Sequence, residues 1–503
     1  MQGEFCIIYS VRVGFDSDRY METQTEQILK RVAQFNDKLY LEFGGKIFDD
    51  DNMARIMPGF PADGKIRLLE KLKDRVEIII CVSAPQIEQN KMRGTHSITY
   101  DMEVLRLVDG MRKMGLLISS IVITMYSNQP SAEIFRKKLE RCGEKVYIHR
   151  PIEDYPNNVD YIISDKGFGT NPYIRTTRNL VVVTGPGPGS GKLGTCLSQL
   201  YHERVRGVKA GYAKFETLPI WNLPLNHPVN LAYEAATADL DDYNMIDPFH
   251  LEAYRVQSVN YNRDIDAFPI LREMLTRLIG EDTYKSPTDM GVNMAGLCIA
   301  DDAIVREAAK QEILRRYFWT QVYYKEGRNE LRAVQKIEQI MAQAGLETKH
   351  RKAVAPALEK ARKSNSPAMS LILQDGRGQV ITARTTDVLA AASNLVLNSI
   401  KALAGIPDDI HLISPSVLEP MLMLKKEILH DKNPLVSLEE VLNALAICAA
   451  TSGAAKKALS CLPSLRNCEA HSSHIISKSD EMTLKKLGIN VTCTPEFSSK
   501  DLF

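Results

Sequence analysis

Asn179-Leu-Val-Val-Val-Thr-Gly-Pro-Gly-Pro-Gly-Ser-Gly-Lys-Leu-Gly-Thr-Cys-Leu-Ser-Gln-Leu200 decides the reading of this chain. Leu180 to Val183 is a short β-branched run closed by a turn signal, the pattern of a strand covered on both faces of a parallel sheet. From Lys192 onward, Leu193, Cys196, Leu197, Leu200 and Tyr201 recur at helical spacing, so a helix starts where the glycines end. Such a junction aims unpaired amides and the positive end of the helix dipole at the loop, which favours a bound anion. The residues expected to hold phosphate are Gly185, Gly187, Gly189, Ser190, Gly191, Lys192, Gly194 and Thr195. Lys192 adds a movable positive charge.

Neither standard phosphate fingerprint fits cleanly. Anchored on Gly191-Lys192, the Walker pattern G-x-x-x-x-G-K-[ST] puts its first glycine on Pro186, and Leu193 stands where a magnesium-binding hydroxyl belongs. Thr195 and Ser190 are the nearest substitutes. Gly189, Gly191 and Gly194 satisfy G-x-G-x-x-G, and Glu216 follows as a candidate ribose ligand. Pro186 and Pro188 each remove an amide donor and stiffen the loop. Two readings stand side by side, a phosphate or nucleotide cradle and a tight strand-to-helix turn.

Outward from this stretch, strands and helices alternate. Expected strands are Lys38 to Phe43, Val76 to Ser83, Ser120 to Thr124, Val146 to His149 and Val159 to Asp165; helices are expected from Met21, Lys65, Asp101 and Ala132. That alternation predicts a doubly wound, mostly parallel Rossmann-like sheet, whose ligands bind beyond the carboxyl ends of the strands. Those ends carry Lys46, which can neutralise phosphate, and Asp165, which can hold magnesium as a Walker B acid does. A solvated loop lysine and a turn cap are the plainer alternatives. Lys214, Glu216, Asn226 and His227 fall in a proline-punctuated stretch, 208–230, read as a structured loop able to meet a polar substrate or to pack across a boundary. Lys46, Asp165, Lys214 and His227 are the candidate catalytic residues.

Beyond Asn230 the pattern turns helical to about Arg362, and the last third is mixed α/β again. Three domains are expected: a Rossmann-like domain over 1–235, a helical one over 236–365 and an α/β one over 366–503. In the last, Asp375-Gly-Arg-Gly378 signals a hairpin, and strands are expected over Asp409 to Ser414, His474 to Ser477 and Asn490 to Thr494. Cys468, Glu469, His471 and His474 form a ligand-like cluster without the second half of a zinc site, and no metal site is assigned. P-C-x-x-C is absent, which argues against zinc deaminase chemistry.

Composition narrows the class. At 503 residues the chain exceeds one core, and 63 basic against 62 acidic residues leave nothing to recruit nucleic acid or a membrane surface. Nine scattered cysteines, never in C-x-x-C pairs, fit buried thiols in a reducing compartment, so a cytoplasmic protein is expected. The stretch beginning at Phe5 is too short for a signal sequence. The partner expected is a small phosphorylated ligand, ATP with magnesium if the site is a nucleotide cradle. A homo-oligomer is the usual state for such a build.

Three blocks carry a resemblance: Leu41-Glu-Phe-Gly-Gly-Lys-Ile-Phe-Asp-Asp50, the glycine stretch from Thr184 to Lys192, and Lys285-Ser-Pro-Thr-Asp-Met-Gly-Val-Asn-Met294. With them the chain from about Gly14 resembles the bacterial uncharacterised family called domain of unknown function 1846. The resemblance implies a cytoplasmic protein with a Rossmann-like N-terminal domain, a helical middle and a C-terminal α/β domain of roughly deaminase-like topology. It supplies no reaction. A phosphotransferase or ligase, a redox or isomerase enzyme for a dinucleotide or phospho-sugar, and a non-catalytic ligand-sensing or scaffolding oligomer are the three functions that fit the residues.

Overall fold

Six parallel strands form the larger sheet of this α/β protein: β1 (Lys38–Phe43), β2 (Val76–Ser83), β3 (Leu117–Thr124), β4 (Val146–Ile148), β5 (Leu180–Thr184) and β6 (Ala210–Phe215). Their order across the sheet is β4-β3-β2-β5-β1-β6. The computed structural model describes residues 13–35, 38–48, 50–93 and 98–498; Asp49 and the stretch beginning at Phe5 lie outside them. The chain forms two compact units, one of Val13–Glu234 with Asp242–Ala309, the other of Ala235–Asp241 with Lys310 onward. The segment between the two α/β parts is thus divided between both units.

β2 and β5 are buried at every position, as their unbroken apolar runs require when helices cover both faces. The helices that matter for the site are α1 (Ser17–Gln34), α2 (Tyr100–Lys113), α3 (Lys192–Val205) and α4 (Asn262–Ile279). α3 and α4 run parallel: Arg204 at the end of α3 donates to the carbonyl of Arg277 at the end of α4. Parallel strands need long crossovers, so all six turn toward their following segments at one edge.

Two expectations in this unit are corrected. Val159 to Asp165 is no strand; Val159–Ile162 is one helical turn, started by the Asn158 side chain accepting from the Tyr161 amide at 3.1 Å. The β-branched residues there face the core once per turn and find no neighbouring strand. Conversely, the stretch from Val208 contains β6, because the prolines at 219, 224 and 228 all lie beyond its end. Its small residues are steric: a Cβ on Gly211 would lie 2.2 Å from the Phe35 ring. At the other end Phe215 stacks on Phe43 of β1 with centroids 4.3 Å apart.

The second unit holds a separate mixed sheet of β7 (Ala368–Ile372), β8 (Val380–Arg384), β9 (Glu469–Ser472) and β10 (Asn490–Cys493), in the order β8-β7-β9-β10. β7 is antiparallel to both neighbours, and β9 and β10 are parallel. The hairpin forms as read, Asp375 accepting from the amides of Arg377 and Gly378. Asp409 to Ser414 is a turn, and the strand expected at His474 lies earlier, at Glu469–Ser472. Buried arginines explain that shift. Glu469 pairs with Arg315 at 2.7 Å and Arg351 at 2.5 Å, and Arg351 also donates to the carbonyls of Ala470 and Asn490. His471 sits between the hydroxyls of Thr492 and Thr494, and its pKa falls to about 3 through burial and Arg351. The ligand-like cluster is therefore committed to protein partners. Cys81, Cys142, Cys196, Cys298, Cys448, Cys468 and Cys493 are free thiols, all buried except Cys142.

Gly211→Ala forces Phe35 or β6 to move, and such overpacking costs about 1–3 kcal/mol. A urea unfolding curve should show a lowered midpoint with an unchanged slope. An unaltered midpoint would show that the ring yields freely.

Candidate functional site

The glycine loop joins the end of β5 to the start of α3, and its glycines are demanded by what surrounds them. A Cβ on Gly185 would lie 2.4 Å from the Cys81 carbonyl, and one on Gly187 2.3 Å from the Tyr100 hydroxyl. Gly189 and Gly191 adopt φ of +73° and +82°, where a side chain is strained. Neighbouring side chains fix the loop from three directions. Thr124 donates to the Ser190 carbonyl at 2.9 Å, Gln86 to the Pro188 carbonyl at 2.9 Å, and the Ser190 hydroxyl to the Gly187 carbonyl at 2.7 Å.

What this frame leaves open is the first turn of α3. Among the described residues, no protein acceptor meets the amides of Gly191, Lys192, Leu193 and Gly194. A Cβ on Gly194 would touch nothing within 4 Å. The turn has no acidic residue and no side-chain cap, so its positive dipole end is not neutralised by the protein. The Lys192 ammonium folds back to 3.4 Å from the Gly187 carbonyl, over the same loop.

The hydroxyls expected to replace the missing Walker ligand point elsewhere. Ser190 is fully buried in the loop, and Thr195, 1% exposed, accepts from the Cys81 thiol at 3.4 Å. Burial pushes that thiol up to about 12, so it stays protonated. Asp165 is also remote from the loop. It is exposed and accepts from the Tyr201 hydroxyl, nine residues along α3 from Lys192, a rise of about 13 Å. His227 is buried at the start of a helix, its Nε2 2.9 Å from Asp302 and its Nδ1 accepting from the Val229 amide. Burial lowers its pKa despite the neighbouring carboxylate. Lys46 lies half-buried in the loop after β1.

Lys214 is brought into a denser arrangement. The register places Ile79, Val183, Glu42 and Lys214 in one row across β2, β5, β1 and β6, hence on one face. Cys81 shares that face and meets Thr195, so α3 covers it. At the end of this row the Lys214 ammonium lies 2.6 Å from Asp264 in the first turn of α4 and 3.2 Å from Glu216. It also bonds the Tyr261 hydroxyl, which donates to Glu216 at 3.4 Å. Tyr212 donates to Glu42 at 2.8 Å. Burial opposes the Lys214 charge, but Asp264, Glu216 and Glu42 outweigh it and hold its pKa above the ordinary lysine value. Glu216 is displaced upward, because burial together with Asp264 and Glu42 outweighs the single lysine. The Glu216 side chain is 32% exposed against 14% for Lys214. Glu42, Tyr261 and Asp264 were not singled out from sequence; an acidic residue opening an amphipathic helix was the one available signal for Asp264.

A raised carboxyl pKa means that folding is favoured most below the unfolded value and loses ground as pH rises through the folded one. Glu216→Gln should remove that loss, so the variant gains on the parent from pH 4 toward 7 in urea unfolding. Parallel stability curves across that range would refute the burial of charge at Glu216.

Comparison with known proteins follows the whole chain. A family model described as domain of unknown function DUF1846, N-terminal, matches residues 13–345, and its C-terminal counterpart matches 349–503. A UPF0371 protein of Clostridium botulinum (strain Kyoto / Type A2) is 52% identical over 502 residues, covering 98% of this chain and 99% of its own length. A UPF0371 protein of Clostridium tetani (strain Massachusetts / E88) is 51% identical with the same coverage. Among the described residues no helix is long and apolar enough to cross a membrane.

Proposed function

The chain belongs to the DUF1846 family, and we propose that its glycine loop holds the phosphate of a small phosphorylated metabolite. The observation that carries this reading is the run of unpartnered amides from Gly191 to Gly194, beside a loop in which Gly185, Gly187 and Gly191 have no room for a side chain. Backbone amides and an uncompensated helix start favour a phosphate dianion over a neutral group. The Lys192 ammonium lies over the same loop, 3.4 Å from the Gly187 carbonyl.

Between the two ligand classes the residues allow, the hydroxyl placements favour a phosphate bound by amides and lysine over a magnesium-bridged nucleotide. Ser190 and Thr195 are spent on the loop and on Cys81, and Asp165 on Tyr201. A phosphotransferase or ligase would draw its metal ligands from other residues. An isomerase or similar enzyme for a phosphorylated substrate needs from the loop only a hold on the phosphate.

A thermal-shift panel of ATP and GTP with and without magnesium, NAD, NADP and phosphorylated sugars tests this. A ligand at a hundred times its Kd adds about 2.7 kcal/mol, and losing a charge-assisted contact in Lys192→Ala costs about 1.5–3 kcal/mol of affinity. Phosphorylated sugars should raise Tm without magnesium, and far less in the variant. A shift seen only with magnesium nucleotides would restore the nucleotide reading, and none at all would reduce the loop to a structural turn.

A further inference from the structure

Resting on that phosphate site, we propose that Glu216, with the Lys214 ammonium beside it to hold negative charge, moves a proton at a carbon beside the carbonyl of a phosphorylated hydroxy-aldehyde or hydroxy-ketone. The argument starts from placement. Glu216 and Lys214 lie at the carboxyl end of β6, on the sheet face that α3 covers. β6 and β5 are separated by β1 alone, so the end of one and the loop after the other are about 10 Å apart. That span exceeds a bare phosphate. It suits a phosphate monoester with a chain of three to five carbons, the reacting end at β6 and the phosphate at α3.

The partners within the cluster divide the roles. Asp264 gives both carboxylate oxygens to Lys214, at 2.8 and 2.6 Å, and so fixes the ammonium. Glu216 makes two longer contacts through Oε1, to Lys214 at 3.2 Å and Tyr261 at 3.4 Å, while its Oε2 meets no donor among the described residues. Thr217, next in the chain and 5% exposed, has a hydroxyl without a partner. A Cβ on Gly44 would lie 3.0 Å from Glu216 Cγ, so the backbone after β1 packs directly against this side chain. A carboxylate with a free oxygen beside a fixed ammonium suits proton abstraction next to a carbonyl.

In this step the Glu216 carboxylate takes the proton from carbon. The electron pair of the broken C–H bond enters the C–C bond, and the carbonyl π pair moves onto oxygen, where the Lys214 ammonium holds the negative charge. Glu216 then returns the proton to the same carbon, or to the neighbouring one as the hydroxyl proton passes to the former carbonyl oxygen. Nothing is oxidised and no co-reactant is consumed. Lys214 and Glu216 touch the reacting atoms; Asp264 and Tyr261 are positioning residues.

The test is proton exchange in deuterium oxide, read by NMR on glyceraldehyde 3-phosphate, ribose 5-phosphate and their unphosphorylated counterparts, with Kd measured in parallel. The full chain should place deuterium beside the carbonyl of a phosphorylated probe and not of its counterpart. Glu216→Gln should slow exchange at least about 100-fold while leaving Kd within a few fold, and Glu216→Asp should restore part of it. Lys192→Ala should weaken binding instead. Binding of a phosphorylated probe without exchange, or exchange undiminished in Glu216→Gln, overturns the acid–base assignment and leaves the phosphate site standing. Binding of none of the probes overturns both.

Discussion

The parallel ladder of β2, β5, β1 and β6 is the constraint on which the larger unit depends. A parallel pair cannot be closed by a short turn, so each strand must send the chain across a face of the sheet before the next begins. The faces are then covered, the strands must be apolar throughout, and every strand delivers the chain to the same edge. The burial of every residue in β2 and β5 follows from this, and so does the concentration of glycines, lysines and carboxylates at one rim. The rim is where the backbone is released from the ladder. It is also where the amide ends of α3 and α4 lie.

Those two helix ends use the same physics in opposite ways. α4 carries Asp264 in its first turn, where it supplies an anion to its own dipole and is held by Lys214. α3 begins at Gly191 in a left-handed conformation with no cap and no acid. A protein that only needed to end a strand and start a helix would gain about 1 kcal/mol by placing Ser, Asp or Asn at that cap. Gly191 forgoes it because Thr124 occupies the space a side chain would need. The uncapped start of α3 is thus a consequence of how tightly the loop is clasped by β3 and by the helix at Ala84–Glu88.

Much of this was legible in the sequence, and the failures have physical causes. β5, the glycine loop and α3 carry strong local signals, an apolar run, positive-φ residues and a 3.6 period, and each formed where read. β6 did not announce itself because its small residues answer to Phe35, a hundred and more positions away. Val159 to Asp165 reads as a strand by composition, yet with no ladder partner it closes into a helical turn. β9 hides its character because Glu469 and His471 are polar, and only Arg315, Arg351, Thr492 and Thr494 make their burial tolerable. Lys214 and Glu216 were visible as polar residues; their neighbours Glu42, Tyr261 and Asp264 come from distant segments, and a single sequence carries no trace of that convergence.

The charge balance at the rim bears on how the two parts of the site act together. Lys214 meets Glu216 and Asp264 with Glu42 beside them, so this cluster holds three carboxylates to one ammonium before any ligand arrives. At about 10 Å and an effective dielectric of 20, each added negative charge opposes ionisation of Glu216 by about 1–2 kcal/mol before solvent screening reduces it. A phosphate on α3 therefore drives Glu216 further toward its protonated form, and protonation of Glu216 favours the phosphate in equal measure. The helix dipole and Lys192 offset part of this repulsion at the phosphate itself, and Lys214 offsets part at the carboxylate. The carboxyl whose pKa burial has already raised is the group that a bound phosphate acts upon. Coupling of that kind requires no moving part, only two like charges held apart by β1.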